Sequence, residues 1–169
     1  MAKSVNRKIS IEYEELSAAD LPKHLSDLLE EAEKAAIKAY APYSGFRVGA
    51  AVLLDDNSIV FGNNQENAAY PSGLCAERVA LYAAKAQFPN KTIKALAVTA
   101  QPEAGQLSSP VSPCGACRQV MAEYETHNQM QSIQVILGGF GNRVWLLENA
   151  TSLLPLTFTG EGVRKKNNL

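Results

Sequence analysis

The spacing of hydrophobic positions predicts a strand and a helix in the first quarter of the chain. Across residues 8–16 isoleucine and tyrosine alternate with polar side chains, the pattern of a half-buried strand at a sheet edge or in an N-terminal extension. From Leu25 to Tyr40 apolar residues recur at helical spacing, with Pro22 near the start of the predicted helix. Pro42 then ends it, because proline cannot continue a helix.

The remaining pattern alternates strands with helices. Residues 48–54 are continuously apolar, and residues 58–61 follow an Asp-Asp-Asn turn, so the two segments predict a hairpin. A stripe of small residues over 76–87 predicts a helix that packs closely on a sheet. Further strands are predicted at residues 95–99, 133–137 and 144–147, and a further helix over 117–124. This order predicts an α/β fold, a three-layer αβα sandwich whose mixed sheet of about five strands has helices on both faces.

Composition and charge favour a single-domain protein that acts on a small molecule. The chain has 169 residues, of which 46% are hydrophobic and 20% charged, which suits one domain with a sizeable core. Its formal net charge of −1 provides no basic field, so we expect no nucleic-acid partner. The short basic run at residues 164–166 is interpreted as part of a solvated tail.

Targeting signals are absent from the sequence pattern. The first seven residues lack the apolar core of a secretory signal, and no 18 apolar residues run together. We therefore expect a cytoplasmic protein with no membrane partner. The domain prediction is an N-terminal extension over residues 1–22, a catalytic domain over 23–160 and a polar tail over 161–169.

Three cysteines and one glutamate form the candidate site. Cys75, Cys114 and Cys117 are the only cysteines, and Glu77 follows the first by two residues. If Pro113 opens a helix, Cys114 and Cys117 lie on one face of its first turn, where the helix dipole favours thiolates. Three soft protein ligands are typical of catalytic zinc, which keeps its fourth position open. The pattern therefore indicates a hydrolytic zinc site.

Two structural interpretations compete with a catalytic site. A structural zinc ion would need a fourth ligand, but His24 and His127 lack short-range ligand spacing to the cysteines. Alternatively the cysteines are ordinary core residues, Glu77 is a solvated glutamate at a helix start and Arg78 is a surface arginine. The coincidence of all three cysteines with Glu77 favours the catalytic interpretation.

Four ordered motifs resemble those of the cytidine deaminases. They lie at residues 43–51, 62–70, 75–78 and 113–119, and the resemblance extends from about residue 30 to residue 160. It implies a zinc-dependent hydrolase that converts cytidine and deoxycytidine to uridine and deoxyuridine with release of ammonia, in pyrimidine salvage. One zinc ion per chain, held by the three cysteines, would polarise a water for attack on C4 of the ring.

The resemblance also assigns roles around the metal and the base. Glu77 would carry protons from the water to the ring nitrogen and to the departing ammonia. Three thiolates leave a divalent metal site with a charge of −1, so donors to sulfur are needed, and Arg78 and Gln119 match such positions. The backbone at Ala76 would contact the base edge.

Further residues match the substrate pocket of the family. Asn64 and Glu66 correspond to residues that bind the ribose hydroxyl, and Phe46 to the aromatic side chain that packs on the pyrimidine. Taken singly, Asn64 could be a turn residue and Phe46 a core aromatic. A carboxylate at Glu66 repels phosphate, which favours a nucleoside over a nucleotide. Phe158 matches an aromatic residue that enters a neighbouring pocket in homotetrameric members, so we expect a homotetramer.

Two departures from the family pattern leave other functions open. The first 20 or so residues exceed the short family core, and the segment 101–109 is longer than expected. One alternative is deamination of a modified cytosine nucleoside such as blasticidin S. The other is a zinc-binding module that has lost catalysis.

Overall fold

Strands and helices alternate along the part of the chain that the computed structural model describes, residues 4–129 and 131–160. Its six strands are β1 (Glu14–Ser17), β2 (Phe46–Leu54), β3 (Ile59–Asn63), β4 (Ile93–Pro102), β5 (Gln134–Phe140) and β6 (Arg143–Leu147). Its three α-helices are α1 (Lys23–Ile37), α2 (Ala76–Gln87) and α3 (Gly115–Thr126). Residues 1–3 of the predicted extension and the predicted tail 161–169, with its basic run, lie outside the described residues.

All six strands join one mixed sheet in the order β1-β6-β5-β4-β2-β3. Strands β4 and β5 pair in parallel, whereas the other neighbours pair antiparallel. Helix α3 lies between β4 and β5 in the sequence, so it forms the crossover that a parallel pair requires. The predicted mixed sheet is confirmed, and the predicted β2–β3 hairpin belongs to it.

Helices cover both faces of this sheet. Apolar residues of α1 pack with one face, in a cluster that includes Leu25, Leu28, Ala51 and Ile136. Helices α2 and α3 supply a second cluster on the other face, which includes Ala80, Leu81, Met121, Val52 and Val98. The structure thus confirms the three-layer αβα arrangement, because alternate residues of the strands point into different clusters.

Two glycines let the helices approach the sheet closely. A Cβ atom on Gly62 of β3 would lie 2.5 Å from the backbone nitrogen of Ala80 in α2. A Cβ atom on Gly49 of β2 would lie 1.9 Å from the carbonyl oxygen of Ala32 in α1. Neither separation is possible for real atoms, so glycine at these positions sets the distance between sheet and helix. For α2 this distance also places the residues at its N-terminal end.

Two boundaries differ from the sequence prediction. The predicted strand over residues 8–16 is wrong before Glu14, and Ile9 and Ile11 are exposed. Its partner β6 ends at Leu147, one position past Leu146, the partner of Glu14, so residues 8–12 lie beyond the end of β6. Helix α1 ends at Ile37 instead of Tyr40, which joins Gln65 in an isolated bridge.

None of the helices in residues 4–129 and 131–160 has the length and apolar character needed to cross a membrane.

Candidate active site

The three cysteines meet where two helices begin on the same face of the sheet. Cys75 is the N-cap of α2, Cys114 is the N-cap of α3, and Cys117 lies in the first turn of α3. The Sγ atoms of Cys75 and Cys114 are 3.8 Å apart, and those of Cys114 and Cys117 are 3.4 Å apart. All three sulfurs lie within 4.8 Å of one another. The structure therefore brings together the three predicted ligands.

The sulfur cluster fits a zinc ion. Tetrahedral zinc with bonds of about 2.3 Å to sulfur requires sulfur atoms about 3.8 Å apart, close to the separations found here. Among the described residues this is the one group of three or more His, Cys, Asp and Glu ligand atoms that converge on a point. His127 instead contacts Glu123 at 3.2 Å, and His24 lines a separate cavity. The donor set is therefore three cysteine sulfurs, and three protein ligands are typical of catalytic zinc.

Electrostatics around Cys75 favour its thiolate form. A hydrogen bond from the Cys117 thiol and contacts with Arg78 lower the pKa of Cys75 to about 5. The Arg78 Nη2 atom lies 3.7 Å from the sulfur of Cys75, and its buried Nε has no hydrogen-bond partner among the described residues. The pKa of Cys117 is raised because its thiol donates to Cys75. The Arg78 guanidinium thus lies where its positive charge can offset negative charge on the sulfur of Cys75.

Glu77 is a buried carboxyl group beside the cysteine cluster. It is the second residue of α2, and only 4% of its surface is exposed. Burial raises its pKa, and the charge of Cys75 raises it further. A carboxyl whose pKa is shifted toward neutrality is suited to accept a proton and return it. The structure therefore places a buried carboxyl with a raised pKa at the inner end of the site.

A cavity of about 680 Å³ connects the cysteine cluster to the surface. Its buried end includes Glu77 and Val98, whereas Tyr43 and Tyr70 at its edge are more than half exposed and form an edge-to-face pair. Phe46 also lines the cavity, as predicted for a residue that packs on a base. The volume is in the range that binds small organic ligands.

Asn64 and Glu66 line this cavity and also hold its wall. The side chain of Asn64 accepts from the Val48 backbone at 2.8 Å and donates to the Phe46 carbonyl at 2.9 Å. Glu66 accepts from the backbone nitrogens of Tyr43 and Ser44 at 2.9 and 3.2 Å, and from the Ser44 hydroxyl. These hydrogen bonds lower the pKa of Glu66, and the one from the Ser44 hydroxyl has the largest effect. Its carboxylate is thus built into the loop before β2.

Three other predicted site residues do not line the cavity. Ala76 is completely buried at the head of α2 and does not line the cavity. Gln119 donates to the backbone oxygen of Phe158 at 2.8 Å, and this contact replaces the predicted one with sulfur. The Phe158 side chain is 68% exposed and does not line the cavity of its own chain. One chain therefore assembles the cysteine cluster, and its own Phe158 lies outside the cavity.

Several cavity residues escaped the sequence analysis. They include Tyr43, Ser44, Val48, Tyr70, Val98, Val111 and Ser112. Most of them lie within or beside the four motifs, so their place in a motif was the available signal. Val98 gave no such signal, because in the sequence it is one of several apolar residues of the buried strand β4. Only the folded structure shows that it lines the cavity.

Comparison with known proteins defines the class to which this fold and site belong. Residues 22–131 match a family model described as the cytidine and deoxycytidylate deaminase zinc-binding region. The chain therefore belongs to this deaminase family and is a zinc-dependent hydrolase.

Similar proteins extend the match beyond the zinc-binding region. A protein named cytidine deaminase from Halalkalibacterium halodurans is 42% identical over 134 residues, which are 79% of this chain and 93% of that protein. Another of this name from Sporosarcina psychrophila is 50% identical over 97 residues, 57% of this chain and 67% of the relative. The structure of cytidine deaminase from Burkholderia pseudomallei superposes with a TM-score of 0.69 at 38% identity, covering 82% of this chain and 100% of that one.

Proposed function

We propose that this protein hydrolyses cytidine and deoxycytidine to uridine and deoxyuridine with release of ammonia, as a step of pyrimidine salvage. The observation that carries the proposal is the buried carboxyl of Glu77 beside three converging cysteine sulfurs, at the inner end of a cavity sized for a nucleoside. Curated relatives named cytidine deaminase support the substrate class.

The residues of the site divide the chemistry between them. Cys75, Cys114 and Cys117 would hold one zinc ion per chain, and such an ion would supply a polarised water for attack on C4 of the cytosine ring. Glu77 accepts a proton from that water and delivers it to the ring nitrogen N3. The same carboxyl then takes the second proton of the former water from the new C4 hydroxyl and hands it to the amino group, so that the bond from C4 to nitrogen breaks and ammonia leaves. Burial of Glu77 supports this shuttle because it raises the pKa of the carboxyl.

Arg78 offsets the negative charge of the sulfur cluster. Its contact with Cys75 at 3.7 Å places a permanent positive charge beside the thiolates. We assign Gln119 an indirect role, because its amide holds the Phe158 carbonyl instead of a sulfur atom.

The cavity wall favours a free nucleoside. Phe46 would pack on the pyrimidine, the backbone at Ala76 would contact the base edge, and Asn64 and Glu66 would bind the ribose hydroxyls. An ionised carboxylate offers about four acceptor positions, and Glu66 accepts three hydrogen bonds from the loop before β2. One position remains for a hydroxyl donor. The same negative charge disfavours a phosphate group.

Assembly, location and domain limits complete the proposal. A homotetramer would give the exposed Phe158 a place in a neighbouring pocket. We propose a cytoplasmic location because a reducing compartment preserves the three free thiols of the site. The deaminase domain would span residues 23–160, and the extension over 1–22 adds the edge strand β1 to its sheet.

Substrate turnover tests the proposal. Purified protein of measured zinc content is mixed with cytidine, deoxycytidine, dCMP and blasticidin S in parallel, and the absorbance change of the cytosine ring is followed. We expect rapid loss of cytidine and deoxycytidine and slow or no loss of dCMP. A preference for dCMP would contradict the charge argument, and turnover of blasticidin S alone would identify a modified nucleoside as the substrate. No turnover at full zinc content would identify a non-catalytic zinc module.

A further inference from the structure

An ion pair lies behind the wall of the catalytic cavity. Arg47 is the second residue of β2, and its guanidinium pairs with the carboxylate of Glu103, which directly follows β4. Another guanidinium nitrogen of Arg47 lies 3.5 Å from the carbonyl oxygen of Ile37 at the end of α1. Both residues line a separate small cavity of about 270 Å³ and neither lines the catalytic one. The pair therefore has no direct access to a bound nucleoside.

The segment between these two cavities is held from both sides. On the catalytic side, Glu66 accepts from the backbone of Tyr43 and Ser44, and the Ser44 hydroxyl accepts from the Phe46 nitrogen at 3.0 Å. On the other side, the Glu103 nitrogen donates to the Gly45 carbonyl at 2.9 Å. The cavity-facing residues Ser44 and Phe46 thus lie in a short segment that is held from both sides, and Phe46 is also paired with Pro102 of β4.

Gly45 makes this segment sensitive to the position of Glu103. Its φ angle of +62° is in the left-handed region, and a Cβ atom there would lie 3.2 Å from a carboxylate oxygen of Glu103. The carboxylate is therefore packed directly against the backbone that leads into Phe46. Because the Arg47 guanidinium holds this carboxylate, a change in the ion pair is transmitted to the cavity wall over one residue.

We infer that the Arg47–Glu103 ion pair positions Ser44 and Phe46 in the cavity wall and so sets the affinity for the nucleoside without contacting it. The inference rests on the proposed nucleoside deamination. The side chains of Arg47 and Glu103 are 38% and 56% exposed, so solvent screens their attraction. For such a pair we expect its loss to raise KM by roughly two- to fivefold. A uniform loss of binding leaves kcat unchanged.

Four variants test this inference. Arg47→Gln and Glu103→Gln each remove one charge, and Arg47→Glu combined with Glu103→Arg reverses the pair. Lys23→Gln is the matched control, because Lys23 forms an exposed ion pair with Asp27 on α1, which carries no cavity residue. Kinetics with cytidine give kcat and KM, and calorimetry with uridine gives a binding constant that does not depend on turnover. Thermal unfolding verifies that each variant is folded.

The expected result is a higher KM and weaker uridine binding in both single variants, by the same factor and with unchanged kcat. The reversed pair should recover part of the loss, and the control should match the unchanged protein. Raising NaCl to about 0.5 M should raise KM in the unchanged protein more than in Arg47→Gln, since salt screens the pair. If the unchanged protein is active and the KM of each single variant stays within about 1.5-fold of its KM, the inference is overturned and the proposed function is not. An unchanged protein that binds uridine but does not turn over cytidine would overturn the proposed function as well.

Discussion

Replacing Gly62 with alanine tests whether the close packing of α2 on the sheet sets the geometry of the cysteine cluster. The added Cβ would lie 2.5 Å from the Ala80 nitrogen, 2.9 Å from the Ala76 carbonyl oxygen and 3.0 Å from the Ala80 Cα. All three neighbours are backbone atoms, which cannot move aside without moving the helix. Since atoms in contact prefer separations of about 3.5–4.0 Å, α2 must retreat by about 1 Å.

This retreat should affect both stability and catalysis. Overpacking of a well-packed core costs about 1–3 kcal/mol, which for a chain of this size lowers Tm by roughly 2–12 °C. The N-terminal end of α2 carries Cys75 and Glu77, so a shift of about 1 Å moves them relative to Cys114 and Cys117 on α3. Misplacement of this size costs on the order of 10²-fold in rate. We therefore expect a folded protein with weakened zinc binding and much lower kcat/KM.

A matched substitution separates this effect from a general loss of stability. Gly138 lies in β5, and a Cβ atom there would lie 3.0 Å from the end of the Leu29 side chain, which can rotate away. Gly138→Ala should therefore lower Tm less and leave kcat/KM and zinc content near those of the unchanged protein. The assays are thermal unfolding, zinc quantification and cytidine kinetics on all three proteins. Unchanged Tm and kcat/KM in Gly62→Ala would refute the packing argument.

Three further predictions concern other parts of the molecule. Glu125→Ala should lower the free energy of unfolding by about 3 kcal/mol, because this carboxylate accepts from three backbone nitrogens, those of Ile133, Ala150 and Thr151; a loss near zero in chemical denaturation would contradict this. Arg78→Gln should weaken zinc affinity roughly 10- to 100-fold, measured by competition with a chelator, and unchanged affinity would remove its assigned role. Phe158→Ala should raise KM for cytidine only in an oligomer, so equal KM values in a protein that sediments as a tetramer would exclude this residue from the neighbouring site.

The αβα layers and the cysteine cluster could be predicted because their signals are local. Apolar residues at helical spacing define α2, and Cys114 and Cys117 three residues apart share one helical turn. The convergence of Cys75 with them followed from the resemblance, which assigns all three cysteines to one zinc ion. The observed distances between the sulfur atoms agree with that expectation.

Features that depend on distant partners could not be predicted. The alternation over residues 8–13 is typical of a strand, yet the length of β6 decides where pairing stops. The amide of Gln119 follows a cysteine ligand in the sequence, but its position on α3 directs it to the carbonyl of Phe158. The double use of Glu66, as a cavity residue and as an acceptor for the loop before β2, also appears only when β2 and β3 are placed together.

The most direct test of the account compares the unchanged protein with Glu77→Gln. Glutamine keeps the size of the buried side chain at this position but removes its ability to carry a proton. Zinc per chain and cytidine turnover are measured on the same preparations. We predict equal zinc content in both proteins and loss of turnover in Glu77→Gln alone. Turnover that survives the substitution, or a parallel loss of zinc, would contradict the assignment of Glu77 as the proton carrier.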